Sequence, residues 1–220
     1  MAGVADKLTD AGFSVEVPLL PGHGTSVEDL AESTFADWSK AAEEALSVLA
    51  ARTEQVFVGG LSMGGGLTCW LAERHPELAG IILVNPLVEP IDASLVDALQ
   101  ELLDQGITTM DAIGSDIKKE GVEERSYDAT PLAPMLSLFD GVKEISADLG
   151  KISCPVLLLS SVEDHVVPPS SGTHLLAAVS APVEQVLLEQ SYHVATLDND
   201  AALVEAEALS FIERVIEQGA

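Results

Sequence analysis

Short apolar, β-branched runs alternate with amphipathic helical stretches along this 220-residue chain. That alternation predicts an α/β fold, a mostly parallel sheet flanked by helices. Two stretches support it. Val56-Phe57-Val58 stops at Gly59-Gly60, passes through Leu61-Ser62-Met63, and enters Gly64-Gly65-Gly66 and a helical pattern. It reads as strand, sharp turn and helix, with a serine at the tip. Ile81–Val84 is continuously apolar, as strands buried on both faces of a parallel sheet are.

The elements follow in order. Residues 2–11 read as a helix closed by Gly12, and Phe13–Val17 alternates like a strand. Pro18–Gly24 is a loop of breakers. Ser33 or Thr34 can cap a helix from about Phe35 to Ala51. Val56–Val58 is the strand before the turn, Leu67–Arg74 the helix after it, and Asn85-Pro86 ends the Ile81–Val84 strand. From Pro90 to Ala147 the patterns become helical: Ala93–Leu103, Thr108–Lys119 and Pro131–Leu149, with a polar break near Glu123–Thr130 and no strand signal. The alternation then resumes with a strand at Val156–Ser160, a helix at Ser170–Val179, a strand at Val183–Glu189 and a long helix at Asp200–Gln218. The organisation expected is a core of residues 1–89 and 148–220 with a helical insertion at 90–147.

Composition bounds the function. Hydrophobic residues make up 47%, enough for a sizeable core, and no apolar run reaches membrane-spanning length. The start, Met1-Ala-Gly-Val-Ala-Asp-Lys7, lacks the basic and apolar regions of a signal peptide, so the expected location is the cytoplasm. Cys69 and Cys154 lie in apolar segments and read as buried free thiols. With 10 Lys+Arg against 36 Asp+Glu, the net charge of −26 repels nucleic acid and anionic membrane surfaces. A solvated acidic surface accounts for this charge; adaptation to high salt is a sharper reading of it.

The Gly60-Leu-Ser-Met-Gly64 turn suits a nucleophile. A serine on so tight a turn adopts a strained backbone, and small neighbours relieve the crowding. The Met63 N–H, at the start of the following helix, points toward an oxyanion forming on a substrate. No Lys-Ser/Thr follows the glycines, which excludes a Walker-type phosphate loop, and no acidic residue closes a second strand about 20 residues on, as a dinucleotide site needs. A serine hydroxyl requires a base, and the base an orienting acid, on loops at the carboxyl ends of strands. Of five histidines, His193 follows the Val183–Glu189 strand and lies on that edge. His75 ends a helix on the opposite edge, His174 is inside a helical pattern, His165 sits on a suitable loop, and His23 reads as a structural loop residue. The acid belongs after the strand before: Glu163 and Asp164 both qualify, adjacent side chains diverge, and Asp164 is preferred. Asp198 can serve instead as a helix cap or loop brace.

Together, Gly60-Leu-Ser-Met-Gly64, Leu20-Pro-Gly-His-Gly24, Glu163-Asp-His-Val-Val-Pro168 and Ser191-Tyr-His-Val-Ala-Thr-Leu-Asp198 resemble the bacterial carboxylesterase and monoacylglycerol lipase branch of the α/β-hydrolases. The resemblance runs over nearly the whole chain. It implies a helical lid over an acyl pocket at 90–147. It also implies hydrolysis of short- to medium-chain carboxylic esters or monoacylglycerols through Ser62, His193 and Asp164 and an acyl-enzyme, with the Met63 N–H in the oxyanion hole and neither cofactor nor metal. A thioesterase or acyltransferase on the same triad, or a weakly active hydrolase-fold protein with an incomplete oxyanion hole, are the alternatives. One departure stands out. Family members carry strands ahead of the first helix found here, including one ending in His-Gly before an aromatic, whose loop supplies the second oxyanion N–H. Without a match to it, the expected sheet is open beside Val56–Val58. Phe13–Val17 then pairs directly with Val56–Val58, or a homodimer fills the gap, the dimer being favoured.

Overall fold

The computed structural model describes residues 1–112 and 114–219. In chain order the elements are α1 (Ala2–Asp10), α2 (Val27–Ala31), α3 (Phe35–Ala50), β1 (Phe57–Leu61), α4 (Met63–Ala72), β2 (Gly80–Val84), α5 (Ala93–Asp104), β3 (Thr109–Asp111), β4 (Ala129–Pro131), α6 (Leu132–Asp148), β5 (Val156–Ser161), α7 (Ser170–Ala178), β6 (Val183–Leu188) and α8 (Ala201–Gly219). A single 3-10 turn, Leu149–Lys151, links α6 to β5. Strands β1, β2, β5 and β6 form one parallel sheet in the order β1-β2-β5-β6.

Side-chain alternation along the strands builds a core on each face of this sheet. Ile81, Leu83, Val156 and Leu158 pack with Trp38 and Leu46 of α3, Leu67 and Leu71 of α4, Ile145 of α6 and Leu175 of α7. Ile82, Val84, Leu157, Leu159 and Leu188 turn the other way, against Val4 of α1 and Val204, Ala208, Phe211 and Ile212 of α8. Every residue of β2 and of β5 is buried, which is why Ile81–Val84 and Val156–Leu159 read as unbroken apolar runs. Helix α3 starts on a capping box: the Thr34 side chain accepts from the Asp37 N–H, and the Asp37 carboxylate accepts from the Thr34 N–H. The short α2, which the sequence did not suggest, is capped by Ser26 through the Asp29 N–H.

Two expectations are corrected. Phe13–Val17 forms no regular element, belongs to no ladder, and does not pair with Val56–Val58. β1 pairs with β2 on one flank only. Between its other flank and the Phe13–Pro18 run lies a cavity of about 460 Å³, walled by side chains including Val4, Leu8, Leu46 and Leu67. Apolar alternation alone does not make a strand; a strand also needs a neighbour within hydrogen-bonding reach, and here the cavity separates the two runs. The second correction is Thr108–Lys119, which is not a helix. Thr109–Asp111 pairs antiparallel with Ala129–Pro131, residues 114–119 form no regular element, and Ile113 lies outside the described residues. The reason is competition for backbone donors: the Lys118 and Lys119 N–H groups donate to the Asp198 carboxylate, at 2.7 and 2.8 Å, and not to helical carbonyls.

Candidate active site

Four chain segments converge at the carboxyl edge of the sheet, following β1, β2, β5 and β6. After β1, Ser62 takes φ 56° and ψ −120°. A conformation so sparsely populated by L residues costs about 1–3 kcal/mol and persists because its surroundings enforce it. The Ser62 N–H donates to the Val84 carbonyl at 3.0 Å, and its own carbonyl accepts from Leu87 and Gly66, each at 3.1 Å. A Cβ on Gly60 would lie 2.1 Å from the Gly64 carbonyl oxygen, so only glycine fits there. Gly64 is different: a Cβ there meets nothing within 4 Å. The expected crowding is therefore one-sided, placed at Gly60. The Met63 N–H sits in the first turn of α4, where a helix offers its amides no internal acceptor.

After β2, Asn85 is buried at φ 42°. Its Nδ2 donates to the Ser161 hydroxyl at 2.9 Å and to the His193 carbonyl at 2.8 Å, and its Oδ1 accepts from the Ser161 N–H at 2.7 Å. The Ser161 hydroxyl in turn donates to the Tyr192 carbonyl at 2.8 Å. Asn85 thus ties the end of β5 and the loop after β6 to the end of β2. In the sequence Asn85 reads only as the end of the Ile81–Val84 strand; the signal of its role is a strong hydrogen-bonding side chain closing a run with no other polar residue.

After β5, Asp164 Oδ1 accepts from the Val166 and Val167 N–H groups at 2.9 and 2.8 Å, while Oδ2 lies 2.8 Å from His193 Nδ1. Asp164 and His193 side chains are almost fully buried. Glu163 points away, to Lys118 Nζ at 3.4 Å, so of the two adjacent carboxylates Asp164 is the one that meets the histidine. The Ser62 hydroxyl makes no hydrogen bond with His193 in this structure. Such bonds are often loose before substrate binds.

The other candidates fall into place. Asp198 is buried and accepts four backbone N–H groups, from Lys118, Lys119, Tyr192 and Asn199 at 2.7–2.9 Å; it braces the loop. His23 Nδ1 lies 3.2 Å from the Pro21 carbonyl, and its ring packs edge-on against Trp38. The Tyr127 hydroxyl donates to the Gly22 carbonyl and accepts from the Thr25 N–H, fastening that early loop to the 90–147 segment. His75 bridges Glu43 and Glu77, and His174 meets Ser146. Cys69 and Cys154 are buried free thiols. Burial raises the Glu124 carboxyl, and the nearby His193 ring and terminal amine draw it partly back.

A buried imidazole oriented by a carboxylate, on the same sheet edge as a strained serine beside a free helix amide, can carry out acyl transfer. No helix among the described residues is long and apolar enough to cross a membrane.

Comparison with known proteins agrees with this architecture. The family described as Serine aminopeptidase, S33 matches residues 1–200. The chain is 39% identical over 216 residues to the thermostable monoacylglycerol lipase of Bacillus sp. strain H-257, covering 97% of this chain and 85% of the relative. It is 25% identical over 218 residues to a carboxylesterase of Bacillus subtilis strain 168, covering 94% and 84%. Among solved structures, one from work on LipS and LipT, two metagenome-derived lipolytic enzymes, superposes with a TM-score of 0.92 at 38% identity, over 97% of this chain and 87% of the other. The Paleococcus ferrophilus monoacylglycerol lipase shares the fold, with a TM-score of 0.65 at 18% identity over 97% and 87% of the two chains.

Proposed function

The chain belongs to the Serine aminopeptidase, S33 family of α/β-hydrolases, and on that premise we propose that it is a serine carboxylic-ester hydrolase acting on short- to medium-chain esters or monoacylglycerols. Ester hydrolysis follows from similarity to a monoacylglycerol lipase at 39% identity. The observation that carries the catalytic assignment is the Asp164–His193 hydrogen bond of 2.8 Å on the edge that also holds Ser62 in its strained turn.

In this reading Ser62 Oγ attacks the ester carbonyl while His193 Nε2 takes its proton. Asp164 fixes the tautomer that leaves Nε2 free to accept, and it stabilises the imidazolium that forms. The Met63 N–H donates to the tetrahedral oxyanion. Collapse passes the proton from His193 to the leaving alcohol and leaves an acyl-Ser62 ester, which a water activated by His193 then hydrolyses. Residues 90–147 act as a lid, with Leu102, Leu103, Met135 and Leu138 as candidates to face the acyl chain.

The test is hydrolysis of a nitrophenyl ester series set against acyl-CoA. Wild type should hydrolyse the esters, Ser62→Ala should not, and a fluorophosphonate should label Ser62. Labelling of Ser62→Ala at the wild-type rate would overturn the assignment; preference for acyl-CoA would move it to a thioesterase.

A further inference from the structure

The segment between α5 and α6 reaches the site through one carboxylate that the mechanism above does not use. Asp116 Oδ2 accepts from the His193 N–H at 3.1 Å and from the His165 N–H at 3.1 Å. Its Oδ1 lies 2.8 Å from His165 Nδ1. The Asp116 carbonyl also accepts from the Val194 N–H at 3.1 Å. One oxygen therefore holds the backbone of the base and the backbone of the residue next to the acid, Asp164.

We infer that Asp116 is a positioning residue that fixes the separation of the Asp164 and His193 loops, and thereby makes the 90–147 segment part of the apparatus that aligns the triad. The inference rests on the esterase reading and deepens it. Three features carry it. The bracket spans two separate loops, 29 residues apart at Asp164 and His193, so no local turn can substitute for it. Asp116 is largely shielded, with 15% of its side chain exposed, so water competes weakly for the same amides. Its neighbours on that side reinforce the arrangement: the His165 ring packs edge-on against Tyr192 at 4.6 Å, and Lys118 Nζ lies 5.2 Å over the same Tyr192 ring. Burial pushes the Asp116 carboxyl up, but hydrogen bonds from the His165 ring and the His165 and His193 amides outweigh it and hold the group below its ordinary value. It is a carboxylate throughout the neutral range.

Displacing a triad member by an ångström can cost about a hundredfold in rate without touching substrate binding. Asp116→Ala should therefore lower kcat on a nitrophenyl butyrate about 10- to 100-fold, with KM within about twofold of wild type. Asp116→Asn keeps an acceptor for the two amides and should recover most of that loss. His165→Ala, which leaves the His193 amide held, should stay within a few-fold of wild type. A role in stability alone predicts the opposite: a lower melting temperature with kcat unchanged at a temperature where the variant is folded. Unchanged kcat in folded Asp116→Ala, or a loss as large in Asp116→Asn as in Asp116→Ala, would overturn the inference. If Asp116→Ala does not fold, Asp116→Ser is read by the same criteria. The Ser62→Ala control separates the two claims: hydrolysis surviving in it removes the esterase assignment, whereas a silent Ser62→Ala with a fully active Asp116→Ala removes only the role of Asp116.

Discussion

Asn85 makes three hydrogen bonds with one side chain, to the end of β5 and the loop after β6. Its removal leaves the buried Ser161 N–H and the His193 carbonyl without partners. Asn85→Ala should thus cost about 1–3 kcal/mol, seen as a lower urea midpoint, and should depress kcat as well, because His193 loses a tether. Glu73 is a second residue whose setting has a measurable effect. Burial, set against the neighbouring Arg74 cation and seconded by Asp148, raises its carboxyl to about 8; one carboxyl oxygen is buried with no partner and the other meets Arg74 at 3.2 Å. The folded state therefore holds a proton that the unfolded chain has released once pH passes the ordinary Glu range near 4.5. The sign follows: Glu73 costs no stability below that range, and its penalty grows as pH rises above it until the folded carboxyl ionises at about 8. Glu73→Gln should flatten that decline, with melting temperature gaining more at pH 9 than at pH 5. An equal gain at both would mean that Glu73 is already ionised in the fold at pH 5.

Among the elements, the turn after β1 gives a paired prediction. Gly60→Ala drives a methyl into the Gly64 carbonyl at 2.1 Å and should abolish activity or soluble expression, whereas Gly64→Ala, which meets nothing within 4 Å, should fold with a melting temperature close to wild type. Equal damage from both would refute the one-sided packing at Gly60. The inserted helices α5 and α6 carry a different expectation: substitutions at Leu102, Leu103, Met135 and Leu138 should shift the preferred acyl length across a nitrophenyl ester series more than they shift stability. These elements also mark what a sequence can reveal. β2 and β5 were readable because burial on both faces makes Ile81–Val84 and Val156–Leu159 continuously apolar. The Ser62 turn and the loops carrying Asp164 and His193 were readable because strand ends and breakers flag them. Asn85 and Asp116 were not, since their importance lies in partners some 50 to 108 residues away. Thr108–Lys119 misled for the same reason: its apolar spacing is helical, but its amides are claimed by Asp198 across the fold. Phe13–Val17 had the right alternation and no ladder to join.

For the molecule as a whole, 36 acidic against 10 basic side chains set the terms of association. A net charge of −26 opposes contact between copies, and salt screens it over about 10 Å at 0.1 M. Self-association at the open flank of β1 should therefore strengthen with ionic strength, read as a sedimentation coefficient that rises from low to high salt; a monomer under all conditions would exclude it. The same flank has a consequence for solvent access. The Ser62 N–H points to Val84 of β2, and parallel pairing alternates direction along a strand. The amides of Gly59 and Leu61 accordingly point into the cavity, where no carbonyl of the sheet awaits them. In deuterated solvent they should exchange orders of magnitude faster than those of Leu83 or Leu158, so the strand that delivers the candidate nucleophile takes up deuterium like a loop while the strands beside it stay protonated.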